Sequence, residues 1–512
     1  PPQAMKVKTI SRSFEEHTRG SKTEVLKQHK NAAPELHPFE AGREYVRAVT
    51  AAKMERMFAH PFLAAMDDHA DGVLCSALNP VSLVSYVSGA ADGEVIVWDL
   101  AARAKLWSVY AHAGFVRGVA VAHDGSHFFS CGDGRTVKQW RLAADDALAT
   151  ADGLPAAAGG AGSAAGAGGA KRSRATMEGR RVRRRRGGDD DGDEDEGATT
   201  ASATASGDGG AVEPLAVWRG KHAFLYMDAA PSGRSFATAS VGIAVWDYER
   251  SEPVHSYEWG ADSVTTVRYN PAEPSLLAST GADRSVALYD VRTDSALRKV
   301  VLSMNANALA WNPREPFNFT AASEDSQLYT FDMRKLAHAL MVHKDHVGAV
   351  MDVAYSPTGR EFVSASYDKT IRIWRIDSGR SREVYHTKRM QRVFTVKVTG
   401  DAKYIVSGSD DANVRLWKAD ASAPLHRLLP RERAKLDYAA ALKTRFGHMP
   451  EVRRILTSRR LPRGIMKGKE ARVTEEQKTR RKLANVRAHT APDSGDGIPE
   501  PLRARRIVAE VA

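Results

Sequence analysis

An aromatic residue followed by a polar one recurs seven times along this 512-residue chain at a near-constant step. The pairs are Trp98-Asp99, Trp140-Arg141, Trp246-Asp247, Tyr289-Asp290, Phe331-Asp332, Trp374-Arg375 and Trp417-Lys418, with aromatics 42, 106, 43, 42, 43 and 43 residues apart. One interval therefore carries about 63 additional residues, while the other five match the length of one four-stranded propeller blade. Seven beats predict an all-β, seven-bladed β-propeller.

The residues around each beat support that count. The run Phe362-Val363-Ser364-Ala365-Ser366-Tyr367-Asp368-Lys369-Thr370-Ile371-Arg372-Ile373-Trp374 reads as an apolar strand, a tight turn with an Asp, and an alternating strand. Equivalent turn acids are Asp92, Asp133, Asp283, Asp325 and Asp410; the third blade has Val241-Gly242 instead, so its turn is expected to be less tightly tied. His69, His112, His222 and His346 precede first strands. The pattern resembles WD-repeat proteins, which implies that these His, Ser/Thr, Asp and Trp side chains hydrogen-bond within a blade and are not catalytic. After Trp417 the chain turns basic and helical, so the outer strand of blade seven is expected from residues 57–66, leaving no open sheet edge.

Composition adds limits. Cys75 and Cys131 fall in strands of different blades and read as buried apolar side chains, not a disulfide or metal pair. No uncharged apolar run approaches a membrane span, so a soluble intracellular protein without a membrane partner is expected. The net charge is +12, and residues 431–490 alone hold 18 Lys/Arg against 6 Asp/Glu. A basic appendage on a near-neutral disc points to a polyanionic partner such as RNA.

The expected organisation is an N-terminal extension over 1–56, a propeller over 57–425 with an insert at 142–210, a basic helical domain over 426–490 and a tail over 491–512. The four residues ahead of Met5 read as upstream sequence. Tyr45, Val46, Val49 and Met54 suggest a strap packed on the propeller. The insert is Ala/Gly/Ser-rich, then basic, then acidic, and is expected to be disordered. Its Arg180, Arg181, Arg183, Arg184, Arg185 and Arg186 form a candidate localisation signal. Beyond Pro430 one helix is expected to end at Gly447 and a second, starting at Glu451, to stop before Pro462; Thr474 with Gln477 suggests a capping box opening a third that runs to about His489. The candidate RNA- or partner-binding residues are Arg453, Arg454, Arg459, Arg460, Arg463, Lys467, Lys469, Lys478, Arg480, Arg481, Lys482 and Arg487.

No nucleotide-binding glycine loop, CxxC pair, HExxH or nucleophile elbow occurs, and His343 and His346 at HxxH spacing lack a third ligand. No enzyme activity, cofactor or metal is expected. Three segments resemble the Sof family of nucleolar WD-repeat proteins: Met5 to Arg12 with Leu36-His37-Pro38-Phe39-Glu40 and Arg43-Glu44-Tyr45; Ser381 to Gln391; and the tail from Arg460-Leu461-Pro462-Arg463-Gly464-Ile465 to Arg480-Arg481-Lys482. The chain departs from the family at Arg460 to Arg463, where His-Leu-Pro-Lys is usual, and in its long insert. The resemblance implies a nucleolar, non-catalytic scaffold of the small-subunit processome. Pre-ribosomal RNA, U3 small nucleolar RNA and other processome proteins would be its partners, and it would be monomeric within the complex. The alternative is a substrate receptor of a cullin-type ubiquitin ligase. Tyr289-Asp290-Val291-Arg292 and Phe331-Asp332-Met333-Arg334 resemble the doubled box that binds the adaptor of such ligases, with Arg292 and Arg334 as contacts.

Overall fold

The computed structural model describes residues 40–142, 213–259, 263–293, 295–489 and 507–511. The candidate signal at 180–186 lies outside them. Seven antiparallel sheets form the blades of a propeller. The four core strands of each of the first six are consecutive in the chain, and blade seven takes its outer strand, Phe62–Met66, from the N-terminal side as expected. That strand pairs with Val414–Lys418 through Phe62↔Trp417, Ala64↔Leu416, Ala65↔Arg415 and Met66↔Val414. The rings of Phe62 and Trp417 meet edge to face at 5.4 Å.

Alternation drives each blade to bury one strand face against the next blade, and the beat aromatics sit in that core. Trp98, Trp140, Phe331, Trp374 and Trp417 are essentially inaccessible. Buried indole N–H groups require acceptors. In blades one, two and six the acceptor is a Ser hydroxyl: Trp98 Nε1 donates to Ser88 at 2.7 Å, Trp140 to Ser130 at 2.9 Å and Trp374 to Ser364 at 2.8 Å. His69, His112 and His346 lie 2.6, 3.0 and 2.6 Å from the same hydroxyls. Burial pushes His69 and His112 down to about 4, so both are neutral tethers at physiological pH. His222 does not join this set, because it is exposed and Phe224 fills the blade interior instead. In the acid-less turn of blade three, the Ser240 backbone N–H and hydroxyl both donate to Gly242 O, at 2.9 and 3.2 Å.

Inner strands line a central cavity of about 390 Å³, whose wall includes Asp228, Arg268 and Lys397. Arg268 pairs with Asp228 at 3.2 Å, and Lys397 with Asp352 at 3.2 Å. Asp352 also accepts the Val396 N–H at 2.9 Å and the Thr395 hydroxyl at 3.1 Å, which staples blade six to blade seven. Both cations face a carboxylate, so the pairs tie neighbouring blades together. Cys75 and Cys131 are buried free thiols, and burial pushes Cys75 up to about 12.

Four described helices complete the fold: α1 (Glu40–Met57), α2 (Pro430–Arg445), α3 (Pro450–Thr457) and α4 (Arg463–His489). The expected strap is α1, yet its partner differs from the expectation. Ala48 of α1 packs with Leu442 and Phe446 at the end of α2 and Val452 of α3, whereas Val46 and Met54 are exposed. Ion pairs Glu55–Lys443 at 2.5 Å and Glu44–Arg445 at 2.6 Å reinforce the contact. The two terminal appendages therefore form one helical module. The third helix starts eleven residues before the proposed capping box, at Arg463. Thr474 is interior to it, and its hydroxyl donates back to Glu470 O at 2.9 Å, so it caps nothing. The tail supplies a strand that sequence reading missed: Ile507–Val511 adds a fifth strand to blade four, along Ala296–Leu302.

Candidate functional site: a docked basic helix and the opposite propeller face

Inner strands of all blades start at one end of the disc, here called the upper face. Turns between second and third strands return to it, and turns between third and outer strands lie on the lower face.

The helical module reaches the upper face across the edge of blade six. Its seat is the segment 381–391, which blade geometry alone gives no reason to prescribe. Glu383 binds Arg56 of α1 at 3.0 Å, and His386 Nε2 lies 3.0 Å from Arg460 O. Ser381 is buried and donates its backbone N–H and its hydroxyl to Asp345, each at 2.9 Å.

Asp345 is the anchor of α4. Its side chain is 1% exposed and accepts from Lys469 Nζ at 2.7 Å and from Arg459 Nη1 at 2.9 Å, with Arg372 Nη1 at 3.7 Å. Burial alone would raise this carboxyl, but Lys469, Arg372 and the Ser381 N–H outweigh it and hold it down to about 2. Three cations on one buried carboxylate form a charge cluster that fixes the start of α4. Close approach also needs Gly468, where a Cβ would stand 2.7 Å from Val347 Cγ1. One turn further on, Arg472 donates to His346 O at 2.8 Å and to the Ser326 hydroxyl. Ile465 is buried beneath this first part of the helix.

These contacts sort the sequence-predicted cations. Arg459 and Lys469 are committed to Asp345. Arg453, Arg454, Arg460, Arg463 and Lys467 are exposed around α3 and the start of α4, and Lys478, Arg480, Arg481, Lys482 and Arg487 are exposed on its far half. The docked half supplies what the polar pattern of this helix concealed, a fixed base from which the basic half projects. Sequence reasoning missed Arg472, and it missed Lys388 and Arg389 in the seat itself and Arg392 next to it. A signal was present in the run Lys388-Arg389, inside the Ser381 to Gln391 segment that resembles the Sof family.

On the lower face, Arg292 and Arg334 occupy equivalent turns of blades four and five, and both are exposed. Their backbone N–H groups each donate to the beat acid two residues earlier, Asp290 and Asp332, at 3.0 Å. The Arg334 guanidinium also binds Asp332 and lies 4.5 Å over the Phe317 ring, while Arg298 of blade four donates to Arg334 O at 2.8 Å. The structure thus brings the two box arginines to one face, opposite the face on which α4 is docked. Among the described residues no cluster of three His, Cys, Asp or Glu could hold a metal ion, and no helix is long and apolar enough to cross a membrane.

A closed seven-bladed ring whose blades each carry a buried beat aromatic, with a helical module made from both flanks of the chain, defines a WD-repeat protein with an appended helical domain. The WD domain, G-beta repeat, matches at 103–141, 337–375 and 382–418, and the Sof1-like domain matches residues 419–505. The chain is 42% identical over 508 residues to DDB1- and CUL4-associated factor 13 of Xenopus laevis, covering 99% of this chain and 100% of that protein. It is 44% identical to the Mus musculus protein of the same name over the same spans. With Protein SOF1 of Saccharomyces cerevisiae it shares 39% identity over 499 residues, 94% of this chain and 91% of that one. The chain belongs to the Sof1-like family of WD-repeat proteins.

Proposed function

We propose that the protein is a non-catalytic scaffold of the small-subunit processome. It acts in the nucleolus with the U3 small nucleolar ribonucleoprotein and pre-ribosomal RNA in processing and small ribosomal subunit biogenesis. The observation that carries this reading is the half-docked helix α4: Asp345 fixes its base, and Lys478, Arg480, Arg481, Lys482 and Arg487 project from the disc. A rigidly based, exposed cationic helix suits phosphate contacts that give affinity and position with little sequence preference. Membership of the Sof1-like family supports the assignment to ribosome assembly. The test is affinity purification of the tagged protein from crosslinked cells, with sequencing of RNA and identification of proteins in one eluate. Enrichment of U3 RNA and the small-subunit rRNA precursor is expected; a cullin and its adaptor without RNA would overturn the reading.

A second reading is favoured by a separate observation. Arg292 and Arg334 lie on the face opposite α4, and relatives across the whole chain are named DDB1- and CUL4-associated factor 13. An adaptor bound there leaves the basic helix clear, so ligase association and RNA association are compatible in one molecule. Replacing Arg292 and Arg334 together with alanine is expected to remove adaptor co-purification while RNA recovery stays unchanged. Undiminished adaptor recovery would sink the box assignment.

A further inference from the structure

The loop 387–392 enters blade seven on the upper face beside the linker into α4. Met390 is buried and pins it, whereas Lys388, Arg389, Gln391 and Arg392 are exposed. Arg392 O accepts the Asp410 N–H at 2.9 Å and the Ser409 hydroxyl at 3.0 Å, so the end of the loop is fixed. The Arg392 guanidinium lies 5.2 Å from the centroid of Tyr367, in the turn of blade six. Tyr367 is 40% exposed and meets Phe394 edge to face at 5.9 Å. Lys369 in the same turn donates to Gln391 Oε1 at 2.6 Å, tying turn to loop. His386, against Arg460 O, places the linker into α4 beside the start of the loop.

We propose that Tyr367 and Arg392 form a stacking site for an unpaired RNA base, continuous with the basic surface at the start of α4. The proposal rests on the RNA-scaffold reading above and specifies the RNA class that this part of the surface takes. A tyrosine held on edge by one ring and covered by a guanidinium is a planar platform. A base extends that stack whatever its identity, because every base has a π face. Lys388, Arg389 and Lys369 flank the platform where the adjoining phosphates of a single strand would run. A duplex keeps its bases stacked inside and uses only the phosphate contacts. The basic helix grips RNA of either form, and the platform favours single strands.

The experiment uses the purified full-length protein with two labelled probes of equal length, an unstructured single-stranded RNA and a blunt RNA duplex. Tyr367→Ala is expected to weaken single-strand binding roughly ten-fold, leave duplex binding unchanged and leave the salt slope intact, because no phosphate contact is lost. Tyr367→Trp should restore single-strand affinity. Substituting alanine for Lys478, Arg480, Arg481 and Lys482 should weaken both probes and flatten the salt dependence. If Tyr367→Ala binds the single strand like the parent while the helix variant loses both probes, the platform is refuted and the scaffold reading stands. If the parent binds neither probe, direct RNA binding fails and the platform falls with it.

Discussion

Replacing Asp345 with alanine is expected to release α4 from the propeller while the seven blades stay folded. The carboxylate compensates Arg459 and Lys469 from the helical module and Arg372 from blade six, and Arg372 is itself fully buried. Removing the carboxylate leaves three cations facing each other, a change that costs roughly 3–5 kcal/mol where all the charges are buried and less here, where Lys469 is 40% exposed and Arg372 keeps Asp368. That penalty falls on the docked state, because undocking lets Arg459 and Lys469 return to water. Hydrogen exchange should show faster exchange over the first turns of α4 and unchanged protection in the inner strands. Protection equal to that of the parent would remove Asp345 as the anchor. The pH dependence has a definite sign. The folded-state value is depressed to about 2, so the stabilisation is complete above the ordinary carboxylate range and is lost as pH falls through about 2. The contribution of Asp345 to docking should be constant between about pH 5 and 8 and be lost only in strong acid.

Deleting residues 40–66 is expected to have the larger effect on the fold itself. Blade seven would keep three strands and present the unpaired edge of Val414–Lys418 to solvent. Met66, Leu63 and Ala64 would leave the cluster they share with Val406, Val414 and Leu416, and Trp417 would lose the ring of Phe62. An open ring with an exposed edge both unfolds and aggregates more readily. The midpoint of thermal unfolding should drop by more than about 10 °C, with loss of monomer in solution. Deletion of 40–57 alone is the control, since it removes α1 from the helical module but keeps the closing strand. If the two deletions melt together, Phe62–Met66 is not what closes the ring.

Blade architecture was legible because its determinants are local. The Trp, its Ser acceptor and the turn acid lie within about ten residues of one another, as Trp98 and Ser88 do. The closing strand was legible for a related reason, since a ring lacking one strand at its end must find it elsewhere. The anchor of α4 was not. Asp345 sits in a His-Lys-Asp-His run that reads as a turn, and its partners lie 114 and 124 residues away. Counting charges likewise could not separate Arg459 and Lys469, consumed in the fold, from Arg460 and Lys467, which face solvent. His222 shows the converse: a residue of the right type near the right place, yet the interior of its blade is filled by Phe224. The fifth strand of blade four escaped because a five-residue, mostly apolar run carries no address.

The pairing of Phe62–Met66 with Val414–Lys418 also sets a timetable for the nascent chain. About 350 residues separate the two strands, and at roughly 5–20 residues per second the ribosome needs on the order of 20–70 s to deliver the second after the first. Throughout that delay the earliest strand waits without its partner. The flank of blade one, where Val73 meets Gly408 of blade seven, has no neighbour either. Six blades can form during synthesis before Val414–Lys418 emerges, but the ring is joined only after it does. Neighbouring chains on one polysome therefore expose complementary edges at the same time, which makes the join the step most open to exchange between copies and most in need of a chaperone.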